Sequence, residues 1–132
     1  MTLLGFDFGT KKIGVAVGQS VTGSASPLEI LRSRTGKPDW AGITRLIEAW
    51  RPDALVVGIP YDEDGVEEEW ASLIHRFTRQ LEGRYRLPVH TVDEHLTSMA
   101  ARSELGLKSG STEIVDAMAA KLILETWLSE QH

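Results

Sequence analysis

Leu3-Leu4-Gly5-Phe6-Asp7-Phe8-Gly9-Thr10-Lys11-Lys12-Ile13-Gly14-Val15-Ala16-Val17 is the stretch that decides how this chain is read. Two apolar runs with period-two alternation flank Gly9-Thr10-Lys11, so residues 3–8 and 12–18 read as strands joined by a short turn. In the first, Leu4, Phe6 and Phe8 share one face, and Leu3, Gly5 and Asp7 share the other. In the second, Ile13, Val15 and Val17 alternate with Gly14, Ala16 and Gly18. A face of small residues suits close approach by a helix or by a ligand. Asp7 lies within an apolar run, where a carboxylate is costly unless something pairs with it. Metal or phosphate chemistry would supply that partner.

Working outward, a third strand covers part of residues 24–31, and Pro27 makes it an edge strand or marks a bulge. Residues 32–37 are polar, basic and turn-like. A helix opens near Pro38-Asp39, with Asp39 able to accept hydrogen bonds from first-turn amides and Ile43, Leu46, Ile47 and Trp50 forming its apolar stripe. Residues 54–59 read as a buried strand between Pro52 and Pro60. After an acidic segment comes a helix with a face of Val66, Trp70, Leu73, Ile74, Phe77 and Leu81. Residues 88–92 form a short strand that delivers Asp93 and Glu94 at its C-terminal end. A helix over 96–105, capped by Thr97 or Ser98, and a hydroxyl-rich loop over 106–111 follow. The last helix begins at Ser111 or Thr112 and runs to about Leu128. This order predicts one α/β domain over residues 1–132, a mixed five-stranded sheet with helices on both faces.

The length of 132 residues allows a real core. The chain has no cysteine, which excludes disulfides, zinc thiolates and a thiol nucleophile and suits a reducing compartment. The N-terminus has no secretory pattern, and no apolar stretch is long enough for a membrane span, so a cytoplasmic protein with no membrane partner is expected. A net charge of −5 argues against coating nucleic acid by long-range attraction. The distribution softens that objection: residues 1–51 carry seven Lys or Arg against four acids, whereas residues 52–75 carry seven acids and no Lys or Arg. A local basic surface beside an acidic one follows.

Asp7, Glu94 and Asp116 are the candidate catalytic and metal-binding residues. Asp7 would stand on the central strand. Glu94 would leave the end of a neighbouring parallel strand. Asp116 would project from the first turns of the last helix, on a face with Ala119, Ala120 and Ile123, where alanines let the helix lie close to the sheet. Three converging acids repel one another without cations; Mg²⁺ or Mn²⁺ would turn them into an oxygen-ligand site able to activate water on a phosphodiester. Each acid also has a plain alternative: a turn acid, a solvated strand end, or a first-turn carboxylate favoured by the helix dipole. Thr10, Lys11 and Lys12 could cradle a phosphate, though the spacing is not that of a Walker loop. Arg32, Arg34 and Lys37 could touch backbone phosphates or form an ordinary solvated loop. Thr97, Lys108 and His95 are further candidate nucleic-acid contacts, His95 to position substrate or a leaving-group proton.

Residues 5–16, Val56-Val57-Gly58-Ile59-Pro60, Val92-Asp93-Glu94-His95-Leu96-Thr97 and Val115-Asp116-Ala117-Met118-Ala119-Ala120-Lys121-Leu122-Ile123-Leu124 together resemble the YqgF/RuvX family. That family has a ribonuclease H-like fold and is related to Holliday-junction resolvases. The likeness covers nearly the whole chain. It implies a metal-dependent endonuclease acting in 5′-end maturation of precursor 16S ribosomal RNA, with its acids on Asp7, Glu94 and Asp116. Two positions depart from the family pattern: His95 and Lys12 stand where arginine is usual, and Lys12 keeps charge but not the fork-shaped donor. The implied partners are structured RNA or branched DNA, with a homodimer open because resolvase relatives act in pairs, and ribosomal assembly partners open as well. Alternatives are a Holliday-junction resolvase, an ATP-binding module like those of actin and sugar kinases, suggested by the turn after Asp7, and a noncatalytic RNA-binding protein.

Overall fold

The computed structural model describes residues 1–9, 11–34, 37–59, 68–93 and 112–131. Its elements in chain order are β1 (Thr2–Asp7), β2 (Lys12–Gln19), β3 (Ser24–Arg32), α1 (Trp40–Trp50), β4 (Ala54–Ile59), α2 (Glu68–Tyr85), β5 (Val89–Asp93) and α3 (Thr112–Glu130). The five strands form one sheet in the order β3-β2-β1-β4-β5. β1 pairs antiparallel with β2, and β2 with β3, while β1–β4 and β4–β5 are parallel. The short connections make hairpins, and the helical crossovers make parallel pairs, as chain length between strands requires. The segments expected as a helix over 96–105 and a loop over 106–111 lie outside the described residues, as does Val66.

β1 is the central strand. β3 is an edge strand, and Pro27 also accompanies a bulge: Val15 faces Glu29, yet the next residue, Ala16, faces Pro27. A proline lacks the ladder donor, so an edge with a register break is where it is tolerated. Both readings of Pro27 hold together.

One face of the sheet presents Leu4, Phe6, Ile13, Val15, Leu55 and Val57, all buried against Ile43 and Leu46 of α1 and Ile74, Phe77 and Leu81 of α2. The other presents Leu3, Ala16, Val56 and Val92 to Ala120, Ile123, Leu124, Trp127 and Leu128 of α3. Burying such a side chain contributes about 1.5–3 kcal/mol, so the two layers supply most of the drive to fold. α1 starts as expected, with the Gly42 N–H donating to Asp39 Oδ1 at 3.0 Å. It stops at Arg51, a left-handed residue (φ 46°) whose N–H donates to the Ile47 carbonyl.

Three apolar expectations fail in part. Trp50 is 41% exposed, because α1 ends there, beyond the sheet-facing positions. Leu73 is 40% exposed, on the flank of α2 rather than its buried stripe. Trp40, not assigned to any stripe, packs its ring against Phe77 with Arg84 above it at 4.1 Å. Trp127 is buried as expected and stacks on His90 at 4.7 Å. No helix among the described residues is long and apolar enough to cross a membrane.

Candidate functional site

Asp7 closes β1, opposite Gly14 of β2, and is half-buried. Strand alternation puts it on the face of Leu3 and Gly5, beneath α3. The approach of α3 is unusually close. A Cβ on Gly5 would meet Leu124 Cγ at 2.5 Å and the Ala120 carbonyl oxygen at 3.2 Å. Leu124 also reaches the Cβ position of Gly18 at 3.3 Å, and Gly18 sits opposite Leu3. From Ala120 to Leu124 the helix therefore travels from Gly5 toward Leu3. α3 runs antiparallel to β1, and its first turns lie toward the Asp7 end of the strand. Asp116 belongs to those turns, one turn before Ala120. Its carboxylate lies outside the described part of the residue.

β5 ends at Asp93, opposite Ile59 of β4. Phe6 faces Val57 and Val92 faces Gly58, so continuing the register sets Asp7 level with Val92. Both strands thus stop at the same end of the sheet. They are not neighbours as expected: β4 lies between them, a separation on the order of 10 Å at ordinary strand spacing. The reason is the order of crossovers, since β4 already occupies the parallel edge of β1. Glu94 is the next residue in the chain after Asp93 and lies outside the described residues.

The basic candidates gather at the same sheet end. Lys12 faces Arg32 across β2–β3, and both share the face of Asp7 by alternation from Gly14. The Ser33 N–H donates to the Lys11 carbonyl at 2.9 Å. Arg34 and Lys37 exchange backbone hydrogen bonds of 3.1 and 2.9 Å. Lys11, Lys12, Arg32, Arg34 and Lys37 thereby form one corner of the domain. Like charges directly opposite in a ladder are disfavoured by themselves, which makes such a corner receptive to anions. Thr10, His95, Thr97 and Lys108 lie outside the described residues. Sequence reading passed over Arg76, Gln80 and Arg84 on α2, although their spacing of four residues was a visible stripe.

Among the described residues no group of three or more His, Asp or Glu side chains converges on a common point. The candidate triad is an all-oxygen donor set, which suits hard divalent ions such as Mg²⁺ rather than zinc. The tight Gly5–α3 contact is compatible with that set, since it brings the backbone carrying Asp116 down to the strand carrying Asp7.

A family model described as "RuvX: Holliday junction resolvase" matches residues 1–130. The chain belongs to the RuvX family. Among curated RuvX-like relatives, one from Methylococcus capsulatus named "Putative pre-16S rRNA nuclease" is 53% identical over 97% of this chain and 88% of its own length. One from Azotobacter vinelandii with the same name is 50% identical over 98% of this chain and 94% of its own. Among solved structures, RuvC of T. thermophilus in complex with Holliday junction substrate superposes with a TM-score of 0.61 at 18% identity, over 99% of this chain and 95% of that one. The Fowlpox virus resolvase in its junction complex gives 0.60 at 14% identity, over 99% of each chain. These two likenesses are of fold: the RuvX chain has a ribonuclease H-like α/β fold, a five-stranded mixed sheet with helices on both faces.

Proposed function

We propose that this RuvX-family chain is a metal-dependent endonuclease that hydrolyses phosphodiester bonds in the 5′-end maturation of precursor 16S ribosomal RNA. The observation that carries the reading is the antiparallel seating of α3 on Gly5, which turns the start of that helix toward Asp7. The name shared by relatives at half identity or more supports the substrate.

In this reading Asp7, Glu94 and Asp116 would hold Mg²⁺ or Mn²⁺. When bound, such an ion supplies Lewis acidity and a water of lowered pKa. The chain's own contributions are orientation and charge. Asp7 is held on a central strand whose neighbours on both sides fix its height and direction. Lys11, Lys12, Arg32, Arg34 and Lys37 would grip backbone phosphates and set the register of the strand being cut. The cytoplasm, where precursor ribosomal RNA is processed, is the matching compartment.

A second reading, cleavage of branched DNA, is favoured by the description of the matching family model. One experiment separates the two. Purified protein is incubated with precursor 16S RNA or with a four-way DNA junction, in Mn²⁺ or in chelator, beside Asp7→Asn. The rRNA reading expects Mn²⁺-dependent cleavage of the precursor, falling on the order of a thousandfold in Asp7→Asn, as expected when several kcal/mol of transition-state stabilisation are lost. Preferential cutting of the junction would favour the second reading. Equal cleavage by wild type and Asp7→Asn would overturn the assignment of Asp7 in both.

A further inference from the structure

The face of the sheet opposite α3 carries a cleft that the carboxylate site does not use. Its volume is about 360 Å³, within the range of small-ligand pockets. Phe8, Trp40 and Phe77 form its aromatic wall, and Lys37, Arg76 and Arg84 stand around it. No carboxylate is found among its described lining residues, in a chain whose net charge is −5. Neither Lys37 nor Arg76 has an ion pair among the described residues. Arg84 lies flat enough over Trp40, at 4.1 Å from the ring centre, to present its outer guanidinium face to the cleft. Cations at this density, unneutralised and beside aromatic rings, match a ligand that is both anionic and planar. Nucleotides have that chemistry: bases stack on aromatic rings and on arginine planes, and phosphates take the remaining charges.

Position supports the same ligand. Phe8 directly follows Asp7, and alternation sends the two side chains to opposite faces at one end of β1. Lys37 belongs both to the basic corner beside Asp7 and to the rim of this cleft. A strand crossing the sheet end at Asp7 therefore meets a continuous run of positive charge leading over the edge.

We infer that the cleft between Trp40 and the Arg76–Arg84 stripe is a subsite for one unpaired nucleotide flanking the cleavage point, its base against the Arg84–Trp40 layer and its phosphate between Arg76 and Lys37. The inference rests on the nuclease reading only for the place of the scissile phosphate, and its test needs no cleavage. Full-length wild type, Arg76→Gln/Arg84→Gln and Asp7→Asn are titrated in chelator with fluorescent single-stranded 12-mers, one of RNA and one of DNA, across a salt series. The double variant is expected to bind at least tenfold more weakly, and its log–log salt slope to fall by about 1.4, the value for two lost phosphate contacts on a single strand. Asp7→Asn is expected to keep the salt slope of the wild type. A larger loss with RNA than with DNA assigns the subsite to RNA; equal losses assign it to either strand type. Unchanged affinity and slope in the double variant would overturn the inference. So would a wild-type dimer that the double variant dissolves with nucleic-acid binding intact, since the cleft would then be an interface between copies. Should the double variant fail to fold, the indole N–H resonance of Trp40 in the wild type decides: a shift on adding a four-nucleotide strand supports the subsite, and no shift ends it.

Discussion

Gly5 and Leu124 meet with no room for a side chain between them, a Cβ at Gly5 standing 2.5 Å from Leu124 Cγ. That contact sets how deeply α3 sits on the sheet. It also sets where the helix start falls relative to Asp7, so a packing detail controls the geometry of the proposed site.

Gly5→Ala is expected to destabilise the protein by about 1–3 kcal/mol, the usual penalty of overpacking. The atoms in the way are a branch-point carbon and a backbone oxygen, neither of which can swing aside cheaply. Adding Leu124→Ala should recover part of the loss, with a coupling of at least about 0.5 kcal/mol in a double-mutant cycle by urea unfolding. Strict additivity would show that the two residues do not share this constraint.

The proposed cation site has a signature apart from turnover. Wild type should melt higher in Mn²⁺ than in chelator, by about 2.7 kcal/mol of stabilisation when free ion is a hundredfold above its dissociation constant. Asp7→Asn should lose that response. In chelator it should be at least as stable as wild type, because one of three mutually repelling carboxylates is gone. A full Mn²⁺ response in Asp7→Asn, read by thermal melting, would remove Asp7 from the site.

Phe77 joins the sheet to both of its helices on that face. Its ring lies 5.9 Å from Phe6, 4.8 Å from Phe8 and 5.6 Å from Trp40. Phe77→Ala is expected to cost about 3–5 kcal/mol, and Phe77→Leu clearly less, since it leaves a smaller void. Chemical denaturation of the two variants measures the difference. Equal and small losses would mean that the neighbouring rings collapse into the space.

Arg51 holds a left-handed conformation (φ 46°, ψ 59°) at the end of α1. For an L-residue that conformation costs about 1–2 kcal/mol, against about 0.5–1 kcal/mol for the extra freedom glycine brings to the unfolded chain. Arg51→Gly should therefore stabilise the protein by about 0.5–1 kcal/mol, while Arg51→Val should destabilise it. A lower denaturation midpoint for Arg51→Gly would show that the arginine side chain contributes more than its backbone costs.

Much of the architecture was legible from local pattern. Alternation in residues 3–18 marked β1 and β2, Asp39 marked the start of α1, and Pro27 marked the edge with its bulge. These signals are carried by neighbouring residues, whose sterics and hydrogen-bonding capacity act whatever the rest of the chain does. Trp50 and Trp40 show where that logic stops. Helical spacing put Trp50 in the buried stripe, yet the left-handed turn at Arg51 ends the helix there and the ring is largely exposed. Trp40 gains its cover from Phe77 and Arg84 on another helix, a contact that no local window contains.

The amino-acid order alone determined which residues could carry chemistry: Asp7 in a small-residue strand, and Lys11, Lys12, Arg32, Arg34 and Lys37 along the first hairpins. Only the folded chain decided their neighbours. Strand order placed β4 between β1 and β5, the missing side chain of Gly5 let α3 settle antiparallel on β1, and pleating sent Asp7 and Phe8 to opposite faces of one sheet end. The physical reason is that residue type fixes what a group can bind, whereas its distance from groups far along the chain is fixed by packing between layers, which depends on every element at once.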